Sequence, residues 1–343
     1  MTRLFLTHNR PALAHYFGQH ALELLRQVAD VSFHDSDNET THQDIIRLAR
    51  DCQILVSFRI PAITAELMSA LPNLAAVCRV AVDIRNIDLD YANHHGILVT
   101  RASPGFGPSV AEWALGAMIS LARHMAVAYN SYQNGQAPKP LMGRELRGSN
   151  LGIIGYGTIG QYLGRLGRAL GMNLIICDPY AHLADAQGII QTQLDDLLAR
   201  SDFVVCLAPA TAETTHLINA SAFQKMKRSA YFINASRAEL VNEHDLIQAL
   251  DAGQIAGCAI DVGSAKDQMP PLTLASHPKV LATPHVGGLT PEAAEHQAMD
   301  SVRQVHALLQ GMLPDGCVNA AHASRAKQVF GLALPALAGE KTE

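Results

Sequence analysis

The segment Gly155-Tyr156-Gly157-Thr158-Ile159-Gly160 constrains this 343-residue chain more tightly than any other. Leu151, Ile153 and Ile154 predict a strand leading into it, and Ile159, Leu163, Leu166 and Leu170 repeat at helical spacing behind it. Gly171 predicts the end of that helix, and Leu174-Ile175-Ile176-Cys177 a second strand. Asp178 then stands 23 residues beyond Gly155. Each part answers a physical need. Gly155 permits a tight turn, Gly157 lets main chain approach a pyrophosphate, and Gly160 lets helix pack closely on strand. The helix start, at Thr158 and Ile159, offers unbonded N–H groups to an anion. Asp178 is placed to accept hydrogen bonds from ribose hydroxyls and would repel a 2′-phosphate, so NAD is expected and NADP disfavoured.

One such unit does not use up the chain. Its length predicts two domains, and a hydrophobic content of 48% is ample for two α/β cores. The net charge of −5 comes with scattered basic residues, which points away from nucleic acid and from anionic lipid. No apolar run reaches the 18 residues of a membrane span, and the strand-like start Met1–Thr7 lacks a secretory apolar region. Cys52, Cys78, Cys177, Cys206, Cys258 and Cys317 form no CxxC pair and mostly sit in apolar runs, so reduced core thiols are expected, with no metal. These features point to the cytoplasm.

Short apolar runs alternate with helical stretches along both halves. Leu4–Thr7, Ile54–Ser57, Ala76–Val80 and Ile97–Thr100 read as strands of an open parallel sheet, with helices such as Ala21–Val28 and Gln43–Asp51 between them. The breaker cluster Ser103–Pro108 predicts a loop or hinge, after which Ser109 caps a helix to about Met125. Beyond the glycine-rich unit, Phe203–Leu207, Tyr231–Asn234, Ile255–Ile260 and Val280–Thr283 read as further strands, and Pro291 as the start of a helix to about Gln310. Ligands of open parallel sheets bind at the carboxyl ends of strands. Asp178, Asn234-Ala235-Ser236-Arg237, Asp261 and Thr283-Pro284-His285-Val286-Gly287-Gly288 all fall at such ends, so a site is expected there.

Taken with Asn86-Ile87-Asp88, Ser109-Val110-Ala111-Glu112, and Pro209 followed by Thr211 and Glu213-Thr214, these motifs make the chain similar, from about Ala76 to Val318, to the D-isomer-specific 2-hydroxyacid dehydrogenases. Glyoxylate/hydroxypyruvate reductases and phosphoglycerate dehydrogenases belong to that family. The resemblance implies two doubly wound parallel-sheet domains, a central Rossmann NAD domain (102–291) inserted in a discontinuous flavodoxin-like substrate domain (1–101 and 292–320). A tail, 321–343, would follow. It implies a homodimer joined largely through the helix near Val110–His124. It also implies hydride transfer between NADH and a small 2-oxo acid, or the D-2-hydroxy acid. Arg237 would bind carboxylate and carbonyl, and His285 would move the proton. Pro209, Thr214, Ala235, Ser236, Arg237, Asp261, His285, Gly287 and Gly288 would join Gly155–Gly160 and Asp178 around the cofactor. An NADH-responsive regulatory protein on the same scaffold is the alternative.

The chain departs from the family in three places. Glycine usually follows the arginine, where Ala238 stands. The family's catalytic glutamate falls five residues after the strand-end aspartate, where this chain has Lys266. One extra residue brings Asp267 into register, and Asp267 is therefore the expected acidic partner of His285, with Gln268 as the substitute. In the expected substrate loop, Arg79–Asn86, glycines are replaced by Ala81 and Asp83, and an aspartate by Arg85. Val82 and Asp83 are expected to meet the substrate, with Phe106 lining the pocket. On one reading Asp83 faces water or pairs with Arg85 two residues away; on the other it recognises a hydroxyl or cationic group on the substrate.

Overall fold

The computed structural model describes residues 1–181, 183 and 188–335. The chain divides into two compact units, one formed by Met1–Gly105 with the chain from Pro291 onward, the other by Phe106–Thr290. Both are open, wholly parallel sheets with helices between their strands, as the alternation of apolar runs requires.

The first unit contains β1 (Arg3–Asn9), β2 (Asp30–His34), β3 (Ile54–Ser57), β4 (Ala76–Arg79) and β5 (Leu98–Arg101), in the order β2-β1-β3-β4-β5. That is the flavodoxin-like order. Leu4, Leu6, Ile54, Val56, Ala76 and Cys78 are buried on one face, and Phe5, Leu55 and Val77 on the other. The first face is finished by residues from the far end of the sequence. Ala298, Val302, Val305 and Leu308 of the helix Pro291–Leu309 pack on it, with Ala323, Ala326 and Leu332. Asn319 ties this return segment to β5, its Oδ1 accepting from Val99 N at 2.8 Å and its Nδ2 donating to Ile97 O at 2.9 Å. Part of the expected tail is a helix, Ser324–Phe330, and residues 336–343 lie outside the described residues.

The second unit contains β6 (Asn150–Ile154), β7 (Asn173–Cys177), β8 (Ile189–Gln191), β9 (Phe203–Cys206), β10 (Tyr231–Asn234), β11 (Gly257–Ile260) and β12 (Val280–Ala282). Their order, β12-β11-β10-β9-β6-β7-β8, reverses between β6 and β9. This is the doubly wound Rossmann order, with its ligand crevice at the reversal. Fully buried Phe203, Phe223 and Phe232 each contribute on the order of 2 to 3 kcal/mol of apolar burial to this core.

Two local expectations are corrected. The helix expected to be capped by Ser109 begins at Gly107, because Pro108 fits the first turn, where its missing N–H is no loss. Ser109 Oγ instead meets Thr290 Oγ1 at 2.8 Å. That helix ends at Ala122, since His124 adopts a left-handed φ of 54°, and a second helix, Met125–Gln133, follows. Val110, Ala111, Ala114, Ala117 and Met118 face the unit's own core, whereas Met125, Val127, Tyr129 and Tyr132 of the second helix are exposed. Among the described residues no helix is long and apolar enough to cross a membrane, no cluster could hold a metal ion, and all six cysteines are free.

Candidate active site

The glycine-rich turn connects β6 to the helix Thr158–Ala169 at the strand-order reversal. Gly155 has φ of +90°, and a Cβ there would fall 2.6 Å from Ala208 N at the end of β9. A Cβ on Gly160 would fall 2.4 Å from Gly155 O, so helix and strand close on the space of the missing side chain. Around Gly157 nothing lies within 4 Å of the Cβ position, which leaves the main chain open to a ligand. Gly157 is also the helix N-cap without a side-chain cap, so the first N–H groups, those of Thr158 and Ile159 among them, have no side-chain acceptor there.

Asp178 follows β7 and holds three main-chain donors. Its Oδ2 accepts from Tyr156 N at 2.6 Å, and Oδ1 from Tyr180 N at 2.8 Å and Ala181 N at 3.2 Å. The carboxylate thus stitches the end of β7 to the glycine turn. A groove of about 520 Å³ opens beside it, lined by Tyr156, Gln161, Arg165 and Tyr180 among others. On the other side of the reversal, Thr214 Oγ1 donates to Pro209 O at 2.7 Å and accepts from Thr211 N at 2.8 Å, closing the loop after β9.

The turn after β10 is ordered by Asn234, which is buried. Its Oδ1 accepts from Ser236 N at 3.1 Å and its Nδ2 donates to Arg237 O at 3.1 Å. Ser236 Oγ donates to Ala208 O, which fixes the Ala235–Arg237 segment against the β9 end. Arg237 itself is half-buried, with Nη1 donating to Ser236 O at 2.8 Å.

Asp261, at the end of β11, is 3% exposed and organises the next loop. Oδ1 accepts from Thr283 Oγ1 at 2.6 Å and Val286 N at 2.8 Å, and Oδ2 from Gly287 N at 2.7 Å. A Cβ on Gly287 would lie 2.8 Å from Oδ2, and one on Gly288 would lie 3.3 Å from Phe106 Cβ. Glycine is thus favoured at both. Between these anchors His285 takes a left-handed φ of 56°. Its Nδ1 lies 3.0 Å from the main-chain oxygen of Asp267. No ion pair joins the Asp267 carboxylate to the imidazole among the described residues. Gln268 Oε1 is buried without a hydrogen-bond partner.

The expected substrate loop lies in the first unit and follows β4. Arg85 grips Asp83, with Nη2 to Oδ2 at 2.8 Å, Nε to both carboxylate oxygens, and main-chain N to Oδ1 at 2.9 Å. Of the two readings of Asp83, this geometry favours pairing with Arg85. Arg79, 5% exposed, supports the loop from beneath, donating from Nε to Asp83 O at 3.1 Å and from Nη1 to Ser57 O at 2.9 Å. Burial pushes its guanidinium down to about 10, against the pull of Asp83. Val82 is half-buried in the same loop. Sequence reasoning gave Arg79 no role, while Asp261, expected beside the cofactor or as a support of the cleft, holds the His285 loop through three hydrogen bonds. The signal for the latter was a lone acid ending a continuous apolar strand.

A parallel sheet with a glycine turn at its reversal, an acid after the second strand, and an arginine and a histidine at later strand ends defines a dinucleotide-dependent oxidoreductase. Residues 115–287 match the NAD binding domain of D-isomer specific 2-hydroxyacid dehydrogenases. A glyoxylate reductase of Thermofilum pendens is 33% identical over 87% of this chain and 91% of its own length. A D-3-phosphoglycerate dehydrogenase of Synechocystis is 32% identical over 88% of this chain, which spans 54% of that longer protein. The crystal structure of a D-isomer specific 2-hydroxyacid dehydrogenase from Polaromonas superposes with a TM-score of 0.83 at 27% identity, covering 93% of this chain and 99% of that one. The chain belongs to the D-isomer specific 2-hydroxyacid dehydrogenase family and is an NAD-dependent oxidoreductase.

Proposed function

We propose that the protein reduces a small 2-oxo acid to the D-2-hydroxy acid, with Arg237 and His285 as the groups that act on the substrate. The observation that carries this reading is the gathering of the glycine turn, Asp178, Arg237 and His285 at the carboxyl ends of the second unit's strands. The cofactor fits the chain's own features: the open main chain at Gly157 suits a pyrophosphate, and the Asp178 carboxylate suits a ribose hydroxyl. Bound NADH supplies the hydride. The turn from Pro209 to Thr214, the segment Ala235–Arg237, and Gly287 with Gly288 complete the cofactor's surroundings.

Arg237 offers a planar fork of donors, suited to a carboxylate and the neighbouring carbonyl oxygen. By drawing charge from that carbonyl it favours attack at carbon. His285 gives the carbonyl oxygen its proton, and takes one back in the reverse direction. Asp261 has its three described donors in the loop that presents His285, so its work is to hold that loop still. In the first unit, the Arg85 grip neutralises Asp83, which removes a like charge from a loop meant to meet an anion.

The exposed apolar side chains of the helix Met125–Gln133 support a homodimer that buries this helix. Six free cysteines support a reducing, cytoplasmic setting.

The test is oxidation of NADH against glyoxylate, hydroxypyruvate, pyruvate, 2-oxobutyrate and bulkier 2-oxo acids, with NADPH in parallel. Turnover is expected on at least one acid, with loss of about 100-fold or more in His285→Ala. Tight NADH binding with no turnover on any of them would refute the proposal.

A further inference from the structure

The loop carrying Asp267 does something its sequence does not announce. Asp267 (φ 59°, ψ 25°), Gln268 (φ 59°) and His285 (φ 56°) are three of the five non-glycine residues in left-handed backbone among the described residues. Each conformation is disfavoured by its Cβ, and such strain gathers where a structure has to aim a group. Here the group aimed is a carbonyl: His285 Nδ1 stands 3.0 Å from Asp267 O.

Both ends of this contact are fixed independently. On one side, Gly263 N donates to Gln268 O at 2.8 Å, Ala265 N to Met269 O at 2.9 Å, and Gln268 N to Ala265 O at 3.0 Å, closing the loop on itself. Glu243 ties the loop down, accepting from Ser264 N at 2.9 Å and Ser264 Oγ at 2.7 Å. Opposite, the Asp261 carboxylate holds Thr283, Val286 and Gly287 around the histidine. Among the described residues neither side chain that the sequence offers as a partner hydrogen-bonds to the ring. The Asp267 side chain makes no ion pair with it, and Gln268 Oε1 is buried with no partner.

We propose that Asp267 is a positioning residue that acts on His285 through its main-chain carbonyl, and that its carboxylate takes no part. This inference rests on the proposed proton-transfer role of His285. A carbonyl only accepts, so it fixes the proton on Nδ1 and leaves Nε2 as the nitrogen that exchanges a proton with substrate. It accepts from neutral imidazole and, more strongly, from imidazolium, so one orientation serves both directions. In reduction, hydride adds to C2 of the 2-oxo acid, the carbonyl π pair moves to oxygen, and the Nε2–H bond breaks to form the O–H bond. In oxidation the same bonds form and break in reverse.

Steady-state kinetics of Asp267→Asn, Asp267→Gly and Asp267→Val test this, with His285→Ala alongside. Asparagine and glycine both tolerate left-handed backbone and keep the carbonyl, while a β-branched valine resists that conformation. Expected are kcat values for Asn and Gly at least about 10-fold above that for Val, wild-type pH profiles for both, and a smaller change in KM than in kcat for Val. Melting temperatures of the variants report whether each folds. If Asn and Gly fall together with Val and their pH profiles shift, the carboxylate is the partner and the proposal is overturned. It is also overturned if Val turns over like the wild type. Should Val not fold, the Asn and Gly pH profiles decide alone. Persistent turnover in His285→Ala would instead sink the underlying role of His285.

Discussion

Acid should destabilise this protein through one buried residue of its first unit. His8, on β1, is fully buried, with neither ring nitrogen bonded to anything. It packs against the rings of Phe17 and Phe58, with centroids 5.4 and 4.8 Å away. Burial, aided by the Arg79 charge, lowers its pKa from 6.5 to about 3. The unfolded chain therefore binds a proton below pH 6.5 that the folded chain refuses until near pH 3. Stability from this residue is complete above the unfolded value and drains away as pH falls. Integrating the difference in proton binding from pH 7 to pH 5 gives a loss of about 2 kcal/mol, rising to roughly 4 by pH 3. Urea unfolding followed by circular dichroism, at pH 7 and at pH 5, measures it when wild type is compared with His8→Leu. The wild type should lose about 2 kcal/mol more than the variant over that interval. Equal losses would show that His8 is protonated or hydrated in the native state and would refute the reasoning.

Other outcomes follow from the site. Gly160→Ala should abolish saturable NADH binding, read by cofactor fluorescence, because its methyl would stand 2.4 Å from Gly155 O. Asp178→Ala strips the acceptor from three main-chain N–H groups and should raise the Kd for NADH at least about 10-fold, with calorimetry as the check. Asp261→Asn forces an amide against one of three donors and should cut kcat by about 10-fold or more while KM moves less. Replacing Val127 and Tyr132 by aspartate should shift a dimer towards monomer in light scattering.

What could be read from the residues was whatever depends on local pattern. The glycine spacing, the acid after the second strand and the buried apolar strands required no knowledge of the rest of the fold. The edge strands β2 and β8 escaped notice because they are half-exposed and carry no continuous apolar run. The cap at Ser109 misled because Pro108 starts a helix as readily as it breaks one. Asp83 and Arg85 were legible as a pair, since two residues along an extended loop bring like-facing side chains together. The contact of Asp267 O with His285 was not legible in any pattern. It depends on main-chain direction at three left-handed residues, which the surrounding loops impose and side-chain identity does not announce.

The interrupted layout of the first unit also sets an order of events during synthesis. The face made by Leu4, Leu6, Ile54 and Val56 is covered by Val302, Val305 and Leu308, and the 185 residues of the second unit are translated in between. At roughly 5 to 20 residues per second, an apolar sheet waits on the order of ten to forty seconds for its cover. The central unit is complete in sequence before that cover emerges, so it can fold first. Nascent chains stalled once Thr290 has cleared the ribosomal exit tunnel should accordingly protect Phe203 and Phe232 from proteolysis while leaving the β1–β5 segment cleavable and open to chaperones.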